Sequence, residues 1–291
     1  MRLAGSVLAL AVTLAACGGK AQPRPESVAE ASDDEGPFVD RPGFEPTAFT
    51  VRVTGSGRAV IFIPGLACPG EVWNDTVERL GDEVQSHVIT LAGFGDSKPV
   101  KPPLLAKARR ELVRYIRSNR LKDPIVVGHS LGGFLAYWLG ASAPDVVGGL
   151  VIVDAAPKYF ANDGRARVLR NTWAQSGDDE RPRALRRVFS GMTRNAKRIE
   201  PYIALIASSD RQTIGDSIFE MVKIDIREDL EAITAPVLLV LADGGLQHRY
   251  RKQAASIEDL EIVVLPRTGH FVMLDDPDGF NRVLVEFIEK H

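Results

Sequence analysis

The stretch VVGHSLGG, residues 126–133, decides the fold. A short apolar run leads into Ser130, and a segment with a helical pattern, 131–141, follows it. Gly128 and Gly132 flank the serine at a distance of two residues on either side. This pattern at a strand-to-helix junction predicts a sharp turn that exposes the serine hydroxyl, and the small neighbours relieve the crowding of that turn. The free N–H groups of the following helix favour developing negative charge. Ser130 is therefore a candidate nucleophile.

Strand-like and helix-like segments alternate on both sides of this stretch. Helical patterns lie near residues 72–80, 104–119, 247–256 and 279–290. The alternation, with mostly continuous apolar strands, predicts an α/β fold whose mostly parallel central sheet has helices on both faces. A glycine-rich turn at residues 54–57 predicts a hairpin between the first two strands. The predicted strands are 49–53, 59–63, 87–91, 124–128, 150–154, 237–241 and 260–265.

One long segment interrupts the alternation. Residues 155–233 contain no clear strand and look helical and charged, and such a length is too great for a loop in a compact domain. We predict a helical cap inserted over the carboxyl ends of the strands, where open α/β sheets bind ligands. Residues 155–199 carry eleven Lys and Arg against four acidic residues, a net charge of +7. This charge fits either solvated helix faces or a surface that meets anionic groups.

The N-terminus has the pattern of an export signal. Arg2 precedes an apolar stretch too short to cross a bilayer comfortably, so residues 1–16 are predicted to be a signal peptide. Its end, LAACG at residues 14–18, resembles the lipobox of bacterial lipoproteins. The resemblance implies that Cys17 carries the lipid after cleavage, which anchors the protein to the cell-envelope membrane on its periplasmic or outer face. Residues 17–46 are rich in proline and acidic residues and predict a disordered tether.

The length, net charge, and histidine and cysteine content of the chain limit which partners and cofactors are expected. Residues 47–291 are enough for one domain that carries an insertion. The net charge of −2 gives no global reason to expect nucleic acid. No histidine cluster or dinucleotide-binding glycine pattern is present, so neither a metal nor an organic cofactor is expected. Lipidation of Cys17 would leave Cys68 as the single thiol, which excludes an intramolecular disulfide. The oligomeric state is not indicated.

Four motifs together resemble those of the α/β-hydrolase fold family. They are the serine turn GHSLG at 128–132, IPGL at 63–66, LAGFGDS at 91–97 and TGHF at 268–271. The resemblance implies a serine hydrolase that forms an acyl-enzyme on Ser130. It also implies an oxyanion hole made of the backbone N–H groups of Leu66 and Leu131. Pro64 departs from the family pattern, since many members have histidine there.

The general base follows from elimination among five histidines. His129 lies inside the serine turn, with its side chain expected to point away from Ser130. His87 begins a predicted strand, at the end opposite the expected site. His248 lies early in a helix, and His291 ends the chain. His270 follows the last strand at the edge where Ser130 also lies, and it is the predicted base.

The acid that orients the base has two candidates. The family usually supplies it after the strand that follows the cap, but Gly245 occupies the usual spacing and Asp243 lies two residues earlier. Asp154 ends the strand after the serine helix, where some members of the fold place their acid. Asp154 is preferred and Asp243 is the alternative, although an aspartate at position 154 could also simply cap the first turn of the insertion.

The expected reaction is hydrolysis of a carboxylic ester or a related acyl compound of small size. Hydrolysis of a C–C or amide bond by the same residues is the alternative chemistry. The non-enzymatic alternative is a ligand-binding protein that keeps the fold but has lost the acid of the triad.

Overall fold

The computed structural model describes residues 44–159, 163–175, 177 and 181–291. The predicted signal peptide, the lipidated Cys17 and nearly all of the predicted tether therefore lie outside the described residues.

A seven-stranded sheet forms the centre of the described chain, in the order β1-β3-β2-β4-β5-β6-β7. The edge strand β1 is antiparallel to its neighbour, and all other pairs are parallel. Every residue of β4, β5 and β6 is buried, as expected for strands with helices on both faces. The predicted fold class is confirmed. The strands are β1 Phe49–Thr54, β2 Arg58–Ile63, β3 Val84–Leu91, β4 Ile125–His129, β5 Gly149–Val153, β6 Val237–Ala242 and β7 Leu260–Leu265.

The predicted hairpin between the first two strands is wrong. β1 pairs with β3 (Phe49 opposite Leu91), and β2 pairs with the other edge of β3. The turn itself exists, because Gly55 and Gly57 have φ values of 74° and 84°. A Cβ at Gly55 would lie 2.2 Å from the Val84 carbonyl oxygen, so the turn passes directly over the start of β3. Turn residues predict the change of direction, whereas the strand partner is decided by tertiary packing.

Helices cover the sheet and fill the predicted insertion. The first three, α1 Asn74–Leu80, α2 Leu104–Ser118 and α3 Leu131–Ser142, belong to the body. Between β5 and β6 no strand occurs among the described residues, and five helices form the cap. The last three, α9 Gln247–Gln253, α10 Val272–Asp275 and α11 Pro277–Lys290, return to the body. The cap helices are α4 Asp163–Ala174, α5 Arg181–Gly191, α6 Ala196–Ile199, α7 Ile203–Ser208 and α8 Arg211–Lys223.

Polar contacts attach the cap to the body beside the predicted site. The Ser209 hydroxyl accepts a hydrogen bond from the Gly95 amide at 2.8 Å and donates to the Ala67 carbonyl at 3.0 Å. The amides of Leu105 and Ala106, in the first turn of α2, donate to the Glu220 carboxylate of α8. These contacts hold the cap over the carboxyl ends of β2 to β6. No helix in the described ranges is both long and apolar enough to span a bilayer.

Candidate active site

Ser130 lies at the junction of β4 and α3, in the strained turn that the sequence predicts. Its φ and ψ are 53° and −115°, a backbone conformation that residues other than glycine rarely adopt. A Cβ at Gly128 would lie 2.3 Å from the Gly132 carbonyl oxygen, and one at Gly132 would lie 2.2 Å from the Ile63 carbonyl oxygen. Only glycine therefore fits at both flanking positions. The Ser130 amide donates to the Val153 carbonyl at 3.0 Å, which fixes the turn against β5.

The structure brings His270 and Asp154 together. The two side chains meet at 2.6 Å, between His270 Nδ1 and Asp154 Oδ2. Asp154 follows β5 directly, has a φ of 44° and is 5% exposed. Its other carboxylate oxygen accepts from the Ala242 amide at 3.1 Å, and its own amide donates to the Val240 carbonyl at 2.8 Å. The carboxylate is therefore held by β6 as well as by β5.

The alternative acid is directed elsewhere. Asp243 follows β6 at the mouth of the same cavity, but it is exposed and its carboxylate accepts from the Arg267 amide at 3.2 Å. The structure gives it no contact with His270. Gly245, at the usual spacing, also lines the cavity. Of the two predicted candidates, Asp154 is the one in contact with His270.

His129 lies against His270 as well. The two ring centroids are 4.6 Å apart, and His129 Nε2 is 2.9 Å from the His270 carbonyl oxygen. A carbonyl can only accept, so Nε2 carries the proton and donates. Complete burial lowers the pKa of His129 well below 6.5, and the nearby His270 lowers it further. The sequence predicts a ring that points away from Ser130; in the structure the neutral His129 ring contacts His270 and lines the same cavity as Ser130.

The two predicted oxyanion donors belong to the helix that follows Ser130 and to a loop that lines the same cavity. Leu131 is the first residue of α3, so its N–H has no acceptor within the helix. Leu66 lies in the loop after β2 and lines the cavity. That loop is tightly turned, since Ala67 has a φ of 59° and the Cys68 amide donates to the Gly65 carbonyl at 3.1 Å. The amide of Ser130 is not free to serve, because Val153 accepts its hydrogen bond.

A cavity of about 350 Å³ opens over Ser130 between the body and the cap. The cap supplies most of the large apolar side chains of its wall. Cys68 also lines it, but burial raises the pKa of this thiol, which keeps it protonated. Among the described residues, no group of three or more His, Cys, Asp and Glu side chains is placed to bind a metal ion. The apolar cap residues of the wall are Trp173, Val188, Phe189, Met192 and Met221.

Comparison with known proteins assigns the family. The sequence profile of the alpha/beta hydrolase family matches residues 60–283, most of the chain. The chain belongs to the alpha/beta hydrolase family.

Individual relatives of this hydrolase are distant in sequence. A pimeloyl-[acyl-carrier protein] methyl ester esterase of Vibrio cholerae is 23% identical over 249 residues, which cover 81% of this chain and 96% of the relative. Among solved structures, a thermophilic esterase from Thermogutta terrifontis superposes with a TM-score of 0.75 at 20% identity, covering 83% of this chain and 93% of the other. An esterase from Exiguobacterium antarcticum gives a TM-score of 0.74 at 19% identity, covering 83% and 95%. These structural matches support the fold.

One further residue of this hydrolase contacts the serine and was missed from sequence. The Tyr159 hydroxyl lies near the Ser130 side chain in the wall of the cavity and accepts a hydrogen bond from the Ala156 amide at 3.4 Å. Burial raises the Tyr159 pKa, so the phenol stays neutral. No motif marks Tyr159, and only the fold of the loop after β5 brings it to the serine.

Proposed function

We propose that this protein is a serine hydrolase that cleaves carboxylic esters through an acyl-enzyme on Ser130. His270 acts as the general base and Asp154 as the acid that orients it. The observation that carries the proposal is the 2.6 Å contact of His270 Nδ1 with Asp154, in the cavity that Ser130 also lines. An aspartate in this position keeps the imidazole in the tautomer whose Nε2 accepts the serine proton.

The reaction proceeds in two halves on these residues. His270 removes the Ser130 proton as the hydroxyl oxygen attacks the ester carbonyl. The N–H groups of Leu66 and Leu131 stabilise the oxyanion, and one such donor is worth about 100- to 1000-fold in rate. His270 then protonates the leaving alcohol, and Asp154 stabilises the imidazolium meanwhile. Water activated by the same histidine releases the carboxylic acid and restores Ser130.

Two observations indicate the class of substrate. The relative from Vibrio cholerae is named a methyl ester esterase, and it aligns along nearly its whole length. The cavity over Ser130 has an apolar wall, and its volume of about 350 Å³ lies at the small end of ligand-binding pockets. The first observation favours an ester bond, and the second favours a small acyl group over a bulky one.

Turnover of a matched substrate series tests this proposal. The purified full-length protein should hydrolyse p-nitrophenyl esters of short acyl acids, whereas the corresponding p-nitroanilides should react far more slowly. Ser130→Ala should reduce kcat by about 10⁶-fold, as loss of the nucleophile does in a serine protease. A folded protein that hydrolyses no ester of the series would support the ligand-binding alternative. Faster turnover of the anilides would support the amide alternative.

We further propose that the enzyme is a lipoprotein held by Cys17 and a tether. The LAACG segment at residues 14–18 supports the anchor. The described domain supports a tether that ends near residue 46, because the amides of Thr47 and Ala48 each donate to the Glu111 carboxylate at 2.7 Å. The chain is thus fixed to α2 as soon as it reaches the domain.

A further inference from the structure

The segment of the cap that follows α5 lies directly against the loop that carries His270. We call residues 192–195 the cap clasp. The His270 amide donates to the Met192 carbonyl at 2.7 Å, so the backbone of the proposed base is itself bound to the cap. A Cβ at Gly269 would lie 2.6 Å from the same carbonyl oxygen, so the two segments pass in contact with no space between them.

One carboxylate, that of Asp275 in α10, gathers the donors of the cap clasp. The Arg194 amide lies 2.9 Å from each of its oxygens, and the Asn195 amide lies 2.9 Å from Oδ1. The Thr193 hydroxyl donates to Oδ1 as well. Oδ2 accepts from the Gly269 amide at 2.7 Å. Asp275 therefore joins three successive cap residues to the residue that precedes His270.

The contact continues on the other side of the base. Phe271 is buried and packs against Phe189 of α5, with ring centroids 5.8 Å apart. Gly269 and Phe271, the chain neighbours of His270, thus both contact the cap, and Gly269 also contacts Asp275. The imidazole itself is held by Asp154, and its carbonyl by His129. These contacts connect the backbone on both sides of His270 to the cap.

We propose that Asp275 is a positioning residue, which couples the seating of the cap to the placement of His270. This inference rests on the proposed function. Hydrogen bonds to an ionised carboxylate are about twice as strong as neutral ones, so the four donors make a firm joint. When the joint is weakened, the cap clasp separates from the His270 loop and the base moves away from Ser130. A displacement of about 1 Å in such a group can cost on the order of 100-fold in rate.

Asp275→Asn tests the coupling with little change in size. The amide group can accept at only one end, so either Gly269 or the cap amides lose their partner. We expect kcat on a short ester to fall about 10- to 100-fold, with KM changed by less than about threefold. The matched control is Asp276→Asn. Asp276 caps α11 by accepting from the Gly279 amide at 3.0 Å, and asparagine caps a helix equally well, so kcat should stay within about twofold.

A double-mutant cycle separates positioning from a general structural effect. If Asp275 acts through His270, then Asp275→Asn should cost nothing further once His270→Ala has removed the base. An equal loss with and without His270 would overturn the coupling. Should Asp275→Asn fail to fold, Thr193→Val removes one donor and should lower kcat several-fold with the same dependence on His270. A folded Asp275→Asn or Thr193→Val with unchanged kcat would likewise refute it. A His270→Ala variant that kept full activity would instead refute the proposed function.

Discussion

Two of the three residues proposed for catalysis adopt a backbone conformation that is costly for any residue but glycine. Ser130 and Asp154 have φ values of 53° and 44°. Each such residue costs on the order of 1–3 kcal/mol, which the surrounding structure must offset. The amides of both donate to neighbouring strands, Ser130 to Val153 and Asp154 to Val240. The sheet thus stabilises the strained geometry that points both side chains at the cavity.

The first prediction at this scale concerns the acid. Asp154→Asn should lower kcat by about 10⁴-fold on a good ester substrate, because the amide no longer holds His270 in the productive tautomer. KM should change much less. Asp243→Asn should cost less than about tenfold, since the Asp243 carboxylate accepts from the Arg267 amide and, among the described residues, does not contact His270. Steady-state kinetics on both variants measures this difference.

Asparagine preserves size at both positions, so circular dichroism and thermal melts should show intact folding. The assignment of Asp154 is wrong if Asp243→Asn is the inactive variant while Asp154→Asn turns over normally.

A second prediction concerns pH and His129. Its pKa lies well below 6.5 in the folded protein because burial disfavours the imidazolium. The unfolded chain therefore binds more protons than the folded one below about pH 6.5, and the free energy of unfolding must fall as the pH drops through that range. The fall approaches about 1.4 kcal/mol per pH unit for one such group.

His129→Gln keeps a donor for the His270 carbonyl and cannot be protonated. Melts at pH 7.5 and 5.0 should show a smaller acid-induced loss of melting temperature in this variant than in the wild type. Equal losses would contradict a neutral buried His129. The comparison is one of slopes, so any uniform destabilisation by glutamine does not affect it.

At the scale of elements, the site depends on how closely α3 approaches the loop after β2. Gly132 lies in the first turn of α3, directly against the Ile63 carbonyl at the end of β2. This approach places the loop of Leu66 beside Ser130, so helix packing and the geometry of the proposed oxyanion hole depend on the same contact.

Gly132→Ala should therefore impair both stability and turnover. The overlap at 2.2 Å forces α3 or the β2 loop to move. We expect a loss of about 1–3 kcal/mol in the free energy of unfolding and at least a tenfold loss of kcat. Gly177→Ala is the matched control, because none of the residues that the structure describes lies within 4 Å of a Cβ there. An active, equally stable Gly132→Ala would show that this close approach is not required.

The sequence predicts the elements better than their contacts. All seven strands and the cap could be located because buried parallel strands are continuous apolar runs and the insertion lacks them. The hairpin prediction failed because turn glycines at 55 and 57 do not specify that β3 lies between β1 and β2.

Ser130 and His270 could be chosen from motifs and from the scarcity of histidines. The choice between Asp154 and Asp243 required the loop conformations after β5 and β6. Tyr159 and Asp275 carry no motif, since the loop after β5 places Tyr159 and the contacts of Asp275 with the cap clasp were not visible in the sequence.

At the scale of the whole molecule, the cap and the body share one site. The body supplies Ser130, Asp154 and His270, while the cap supplies Tyr159 and most of the apolar wall. Joints on two sides of the cavity, at Ser209 and at Asp275, hold the two parts together. This arrangement makes access for a substrate a property of the entire cap rather than of one loop.

The proposed lipid anchor leads to a prediction for the full-length chain. In a bacterial host the protein should fractionate with membranes, and its mature N-terminus should be Cys17. Cys17→Ser should abolish lipidation and release the processed protein from the membrane pellet. Mass spectrometry of the mature N-terminus is the measurement. A first residue other than Cys17, or a Cys17→Ser variant that is processed and retained like the wild type, would contradict the anchor.

The central claim is that Ser130 is a nucleophile activated by His270 and Asp154. A fluorophosphonate probe tests it most directly, because such a reagent forms a covalent bond with an activated serine without the need for the true substrate. Peptide mapping of the labelled full-length protein should place the adduct on Ser130. Labelling should disappear in Ser130→Ala and slow by orders of magnitude in His270→Ala, while Asp243→Asn should label at a rate close to that of the wild type. A folded protein that stays unlabelled, or an adduct on any residue other than Ser130, would contradict the claim.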